Sequence, residues 1–69
     1  MMFKVGDKVK VLFSECGAPP ETFGKAGTVF ILDMEDKNGI SFCVKFEDSY
    51  HGSDSWWYTD EELSHIEEA

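Results

Sequence analysis

In the stretch Ile40-Ser41-Phe42-Cys43-Val44-Lys45-Phe46, a bulky apolar residue recurs at every second position. A period of two belongs to the extended chain, whose successive side chains point to opposite faces. Ile40, Phe42, Val44 and Phe46 thus share one face, with Ser41, Cys43 and Lys45 behind them. The same pattern appears twice earlier. In Lys8–Phe13, Val9, Val11 and Phe13 alternate with Lys8, Lys10 and Leu12. In Gly27–Asp33, Val29 and Ile31 alternate with Thr28, Phe30 and Leu32. Half-buried strands follow in each case.

Turn chemistry orders these strands. Asn38-Gly39 tolerates positive φ at both positions and predicts a tight antiparallel hairpin between the second and third strands. Between the first and second strands, the segment from Ser14 to Ala26 carries two prolines and two glycines with no period, and reads as a long surface loop. Phe23 within it is expected to tuck onto the edge of the fold. Further on, Ser55-Trp56-Trp57-Tyr58 is strand-like, with Trp56 and Tyr58 on one face and Trp57 on the other. Thr59, followed three residues later by Glu62, makes a capping-box pattern. The acids Asp60, Glu61 and Glu62 therefore open a single helical turn, where negative charge suits the exposed N–H groups. Leu63 then points inward, and Ser64-His65-Ile66 closes as a short strand with Ile66 inside.

These elements predict an all-β fold. It is a small five-stranded antiparallel SH3-like barrel, with one short helical turn before the last strand, occupying residues 1–69 as a single domain. The expected core is Val9, Val11, Val29, Ile31, Ile40, Phe42, Val44, Phe46, Leu63 and Ile66.

The residues that build this pattern also resemble known families. Gly6, Lys8, Val9, Leu12 and Glu15, then Gly27-Thr28-Val29, Gly39-Ile40, Val44, Phe46 and Glu62-Leu63, are similar to the small SH3-like barrel group. That group includes KOW-type modules, mind bomb-type modules and the E subunit of photosystem I. The resemblance to the photosystem subunit covers most of the chain. It implies the barrel, and it implies an accessory role in a redox or photosynthetic complex. The resemblance to KOW-type modules implies contact with RNA or transcription factors.

Charge narrows the choice of partner. The net charge is −8 and there is no arginine. Residues 1–31 hold four lysines against three acids, whereas residues 32–69 hold two lysines against eleven acids. Nucleic-acid binders concentrate cations, with arginine prominent at phosphates. Direct binding of DNA or RNA is disfavoured, and a basic protein partner fits the acidic C-terminal half. No apolar run approaches the roughly 20 residues that span a bilayer. The first residues alternate charge with valine and lack the apolar core of a signal peptide, so a cytoplasmic location, or the interior of an organelle or host cell, is expected.

Chemistry is not indicated. Cys16 and Cys43 form no CxxC and are read as reduced thiols. With His51 and His65 they match no zinc-site spacing. No serine sits in a nucleophile-elbow pattern, and a Cys–His pair lacks an orienting third group and a pocket. His51 falls in a turn-like segment and His65 on the last strand, both facing water. Gly24-Lys25-Ala26-Gly27 lacks the spacing of a phosphate loop and leads into a strand. No cofactor, metal or enzymatic activity is expected. The reading that remains is a non-catalytic acidic protein-interaction module, an inhibitor or accessory protein acting on a basic partner, and a phage-encoded protein fits that description. Its contacts are expected at whichever of Trp56, Trp57 and Tyr58 is exposed and at Asp60, Glu61, Glu67 and Glu68. One tryptophan is expected in the core and one outside. The alternatives are a DNA-mimic inhibitor of a nucleic-acid-binding protein and the accessory subunit that the resemblance implies.

Overall fold

A computed structural model of the chain describes residues 3–15, 17–36 and 39–66. Five strands form one antiparallel sheet: β1 (Lys8–Val11), β2 (Ala26–Asp36), β3 (Gly39–Tyr50), β4 (Ser53–Thr59) and β5 (Leu63–His65), in the order β4-β3-β2-β1-β5. Two 3-10 turns, Pro20–Thr22 and Asp60–Glu62, complete the elements. The expected strand count and antiparallel pairing are present.

The ladders leave the sheet open, with β4 and β5 as its two edges. Barrel closure by hydrogen bonding is therefore not seen among the described residues, yet the sheet cannot be flat. Five flat strands would hold their outer members roughly 19 Å apart. β4 and β5 are joined only by Asp60–Glu62, and a 3-10 turn of that length bridges roughly 8 Å. The sheet must coil until its edges approach. Gly27 marks where β2 leans closest over β3. A Cβ there would lie 2.5 Å from Val44 Cγ1 and 2.8 Å from the Lys45 carbonyl oxygen.

One core cluster forms inside this coil. Val9, Val11, Val29, Phe42, Val44, Phe46 and Leu63 are buried in it as expected, joined by Phe3, Ala18 and Tyr58. Ile40 is half-buried against the cluster. Ile66, expected inside, lies just past the end of β5, is only partly covered and is not packed on the cluster. Phe13 is exposed because β1 ends at Val11; the next amide, Leu12 N–H, turns to the Glu62 carbonyl at 2.8 Å. Phe23 stays more than one-third exposed beside the first 3-10 turn.

The main departure is Ile31, expected in the core and 42% exposed. Val29 pairs with Val44, but Ile31 pairs with Cys43, so two steps along β2 match one along β3. Phe30 is the extra residue of a β-bulge. Such an insertion flips every later side chain to the other face. Ile31 therefore turns outward, and Leu32, expected outside, packs against the core opposite Phe42.

The hairpins differ in how they turn. Gly39 already sits in the ladder opposite Asp36 rather than in a turn, while Asn38 lies outside the described residues. Between β3 and β4, Tyr50 pairs with Ser53 across His51 (φ 49°) and Gly52 (φ 85°). Two central residues with positive φ are the twist-matched form of a two-residue hairpin.

The long loop is stitched down rather than loose. Gly24 N–H donates to the Val11 carbonyl and Val11 N–H to the Lys25 carbonyl. Glu62 is 2% exposed and accepts from Thr59 N–H at 2.8 Å, as the capping box predicts. Its second carboxylate oxygen accepts from Glu15 N–H, which ties the loop's start to the turn before β5.

Candidate functional site

The three adjacent aromatics separate by strand alternation. Tyr58 is 1% exposed and belongs to the core, facing Phe42 across the ladder. It offers no surface to a partner. Trp56 shares that inward face opposite Val44 and is half-buried against the core; its indole Nε1 is buried without a hydrogen-bond partner among the described residues. Trp57 points outward and is 44% exposed. The expectation of one buried and one exposed tryptophan is met in part: Trp57 is exposed, but Trp56 is only partly buried.

Trp57 does not stand alone. Opposite it on β3 is Cys43, and opposite Cys43 on β2 is Ile31. In an antiparallel sheet directly opposed residues share a face. Ile31, Cys43 and Trp57 therefore form one row across the outer surface, with Phe30, 40% exposed, on the bulge beside it. Cys43 is buried yet lies outside the core cluster, as a small side chain between two larger row neighbours would be. It is a free thiol, and burial pushes its pKa upward, against a smaller opposing effect of its hydrogen bond with Ser55. A buried, protonated thiol is a poor nucleophile.

Next along the outer face is the row Asp33–Ser41–Thr59. Asp60 and Glu61 follow Thr59 directly and are exposed. The predicted acids Asp60 and Glu61 are thus brought beside Trp57, while Glu67 and Glu68 lie outside the described residues. Sequence reasoning missed Phe30 and Ile31. Alternation alone puts Phe30 outside, but the exposure of Ile31 depends on the bulge, which is a property of pairing with β3 and leaves no mark in the alternation of β2.

The β4 edge is partly closed to a further strand. Both the N–H and the carbonyl of Ser55 are engaged by Ser53 Oγ, and Thr59 N–H by Glu62. Side chains that take up edge hydrogen-bonding groups guard against strand addition.

Both histidines hold carboxylates. His51 Nε2 lies 2.6 Å from Glu21 in the first 3-10 turn, linking the β3–β4 turn to the long loop. His65 Nε2 lies 3.0 Å from Asp7, and its ring packs on Phe3 at 4.4 Å between centroids. These contacts fasten segments together and present no nucleophile–base pair. A groove of about 710 Å3 gathers Lys8, Lys25 and Lys45 with Glu47, Asp48 and Asp54.

The chain matches no protein-family model and no curated protein.

Proposed function

We propose that the chain is a non-catalytic protein-interaction module that docks through the outer face of its sheet. The observation that carries this reading is the row Ile31–Cys43–Trp57, with Phe30 beside it and Asp60 and Glu61 at its margin. Aromatic and aliphatic side chains left half-exposed in one contiguous patch mark interaction surfaces. Trp is the residue type most enriched at binding hot spots. Acids at the rim favour a partner with a basic surface, and rim charge acts mainly on the rate of association.

The test compares three immobilised baits at low and high salt: the parent chain, Trp57→Ser, and Asp60→Asn with Glu61→Gln. A partner retained by the parent should be lost from the Trp57 variant at both salt concentrations. From the acid-depleted variant it should associate more slowly at low salt only, because screening removes the effect of rim charge. A partner held equally by all three baits places the site elsewhere.

A further inference from the structure

The acidic turn Asp60–Glu62 has apolar neighbours on both sides. Trp57 stands shortly before it in the chain. On its other side, hydrogen bonds rather than sequence bring up the start of the long loop. Leu12 N–H donates to the Glu62 carbonyl at 2.8 Å. Glu15 N–H donates to the Glu62 carboxylate, whose other oxygen accepts from Thr59 N–H at 2.8 Å. One buried side chain thus ties the end of β4, the turn and residues 12–15 into a single piece. Gly24 N–H donates to the Val11 carbonyl at 2.7 Å, which brings Phe23 beside Leu12.

The backbone here is fastened while its large side chains face out. Leu12 is 49% exposed, Phe13 39% and Phe23 37%. Exposed apolar residues gathered in one place mark interaction surfaces. Around them stand Glu15, Asp60 and Glu61, all exposed, and among the described residues no ion pair joins any of the three to a lysine. Lys10, two residues before Leu12, leaves acids in excess. Lys25 lines the groove with Lys45, Glu47 and Asp48 instead.

Resting on the reading of the Trp57 face as a docking surface for a basic partner, we propose that the contact continues over the Asp60–Glu62 turn onto Leu12 and Phe13. Its occupant is a basic segment of the partner in which lysine or arginine is interleaved with apolar residues. Trp57 precedes Glu62 by five residues, so the two apolar areas lie within roughly 20 Å, a distance covered by about six extended residues. The cations of such a segment meet Glu15, Asp60 and Glu61. Its apolar side chains meet Trp57 at one end and Leu12 and Phe13 at the other.

The test titrates the chain, followed by amide NMR, with two peptides of about six residues and equal charge. One alternates lysine with leucine, the other lysine with serine. The lysine–leucine peptide should bind about tenfold tighter or more, because only it can bury apolar surface. It should shift the amides of Leu12, Phe13, Asp60 and Glu61 together with the Trp57 indole. Leu12→Ser should lower its affinity toward that of the lysine–serine peptide, and Phe13→Ser should do so independently. The amide spectrum of each variant checks that the fold is retained. Equal affinity for the two peptides overturns the proposal, since charge alone would then explain binding, and so does the absence of binding by either. Shifts at Ile31 and Trp57 that spare Leu12 and Phe13 overturn it too, but leave docking on the outer face intact. Shifts at Leu12 and Phe13 that survive Trp57→Ser support the seat beside the turn and remove the outer row from the docking reading, so the two readings fail separately.

Discussion

The Tyr58 hydroxyl donates to Thr22 Oγ1 at 2.7 Å across 36 residues of chain, and Thr22 Oγ1 donates onward to the Pro19 carbonyl at 2.8 Å. Both residues are fully buried. This short polar relay pins the middle of the long loop to β4 inside the core. Burial raises the Tyr58 pKa above its ordinary value, against the smaller lowering effect of Thr22.

The relay is asymmetric under substitution. Tyr58→Phe removes a donor and leaves Thr22 still bonded to Pro19, at a cost of about 0.5–1.5 kcal/mol. Thr22→Val leaves the Pro19 carbonyl its bond from the residue 22 backbone N–H but strands the buried Tyr58 hydroxyl, at about 1–3 kcal/mol. Denaturant midpoints of the two variants and their double mutant should show the larger loss for Thr22→Val. They should also show non-additivity, because the two residues share one interaction.

Val44→Ala should cost about 2–3 kcal/mol by leaving a cavity in the core. Gly27→Ala should also destabilise, since its new Cβ meets both Val44 Cγ1 and the Lys45 carbonyl. Combining them should relieve only part of the Gly27→Ala cost, because the side-chain clash disappears and the backbone clash remains. Full rescue in thermal denaturation would mean that β2 does not approach β3 as closely as described.

The outer row makes Cys43 a reporter of its own cover. In a Cys16→Ser background, Cys43 should alkylate slowly at neutral pH, since it is buried and its thiol pKa is raised. Trp57→Ala or Ile31→Ala should speed the reaction with little loss of stability, as both side chains lie outside the core. Unchanged kinetics would show that something other than the row shields the thiol.

Acid should loosen both histidine contacts through their carboxylates. The hydrogen bond from His65 chiefly, with the Lys4 amide, holds Asp7 below its ordinary value. Glu21 is lowered first by its own backbone amide and then by His51. A depressed folded-state pKa contributes stability that is present above the unfolded value and is lost as pH falls through the folded one. The contributions should therefore be intact above the ordinary values of 3.8 and 4.5 and disappear below them. Carboxyl titrations followed by NMR should show Asp7 moving up toward its ordinary value in His65→Ala, with Glu21 unmoved.

Much of this fold is legible in the sequence because its signals are local. Alternation around Phe42 and Val44 reports one strand's own two faces, and the Thr59–Glu62 spacing reports a single turn. The assignment of Trp57 to the outside follows from the same period. What is not legible depends on pairing. Nothing within Val29-Phe30-Ile31 says that β3 will offer one residue against two. Phe13 continues the pattern of β1, but the strand stops because Leu12 is claimed by Glu62, fifty residues away in sequence. The apolar row of the outer face is likewise invisible along the chain, since Ile31, Cys43 and Trp57 become neighbours only through register.

The bulge at Phe30 acts as a phase boundary within β2. Residues before it are read in one parity and residues after it in the other. A saturation scan along this strand should show tolerance alternating with a period of two, with the rhythm slipping by one place at Phe30 and again between Asp33 and Asp36. Removing Phe30 alone would take away the extra step and leave Ile31 opposite Cys43 on the outside and Leu32 opposite Phe42 within, so the outer row should survive the deletion. The same residues paired with β3 without the bulge would instead put Ile31 in the core and Leu32 outside, and the apolar row would be lost with the strand's composition unchanged. The interaction surface is thus encoded less by which residues β2 contains than by one added step in counting them.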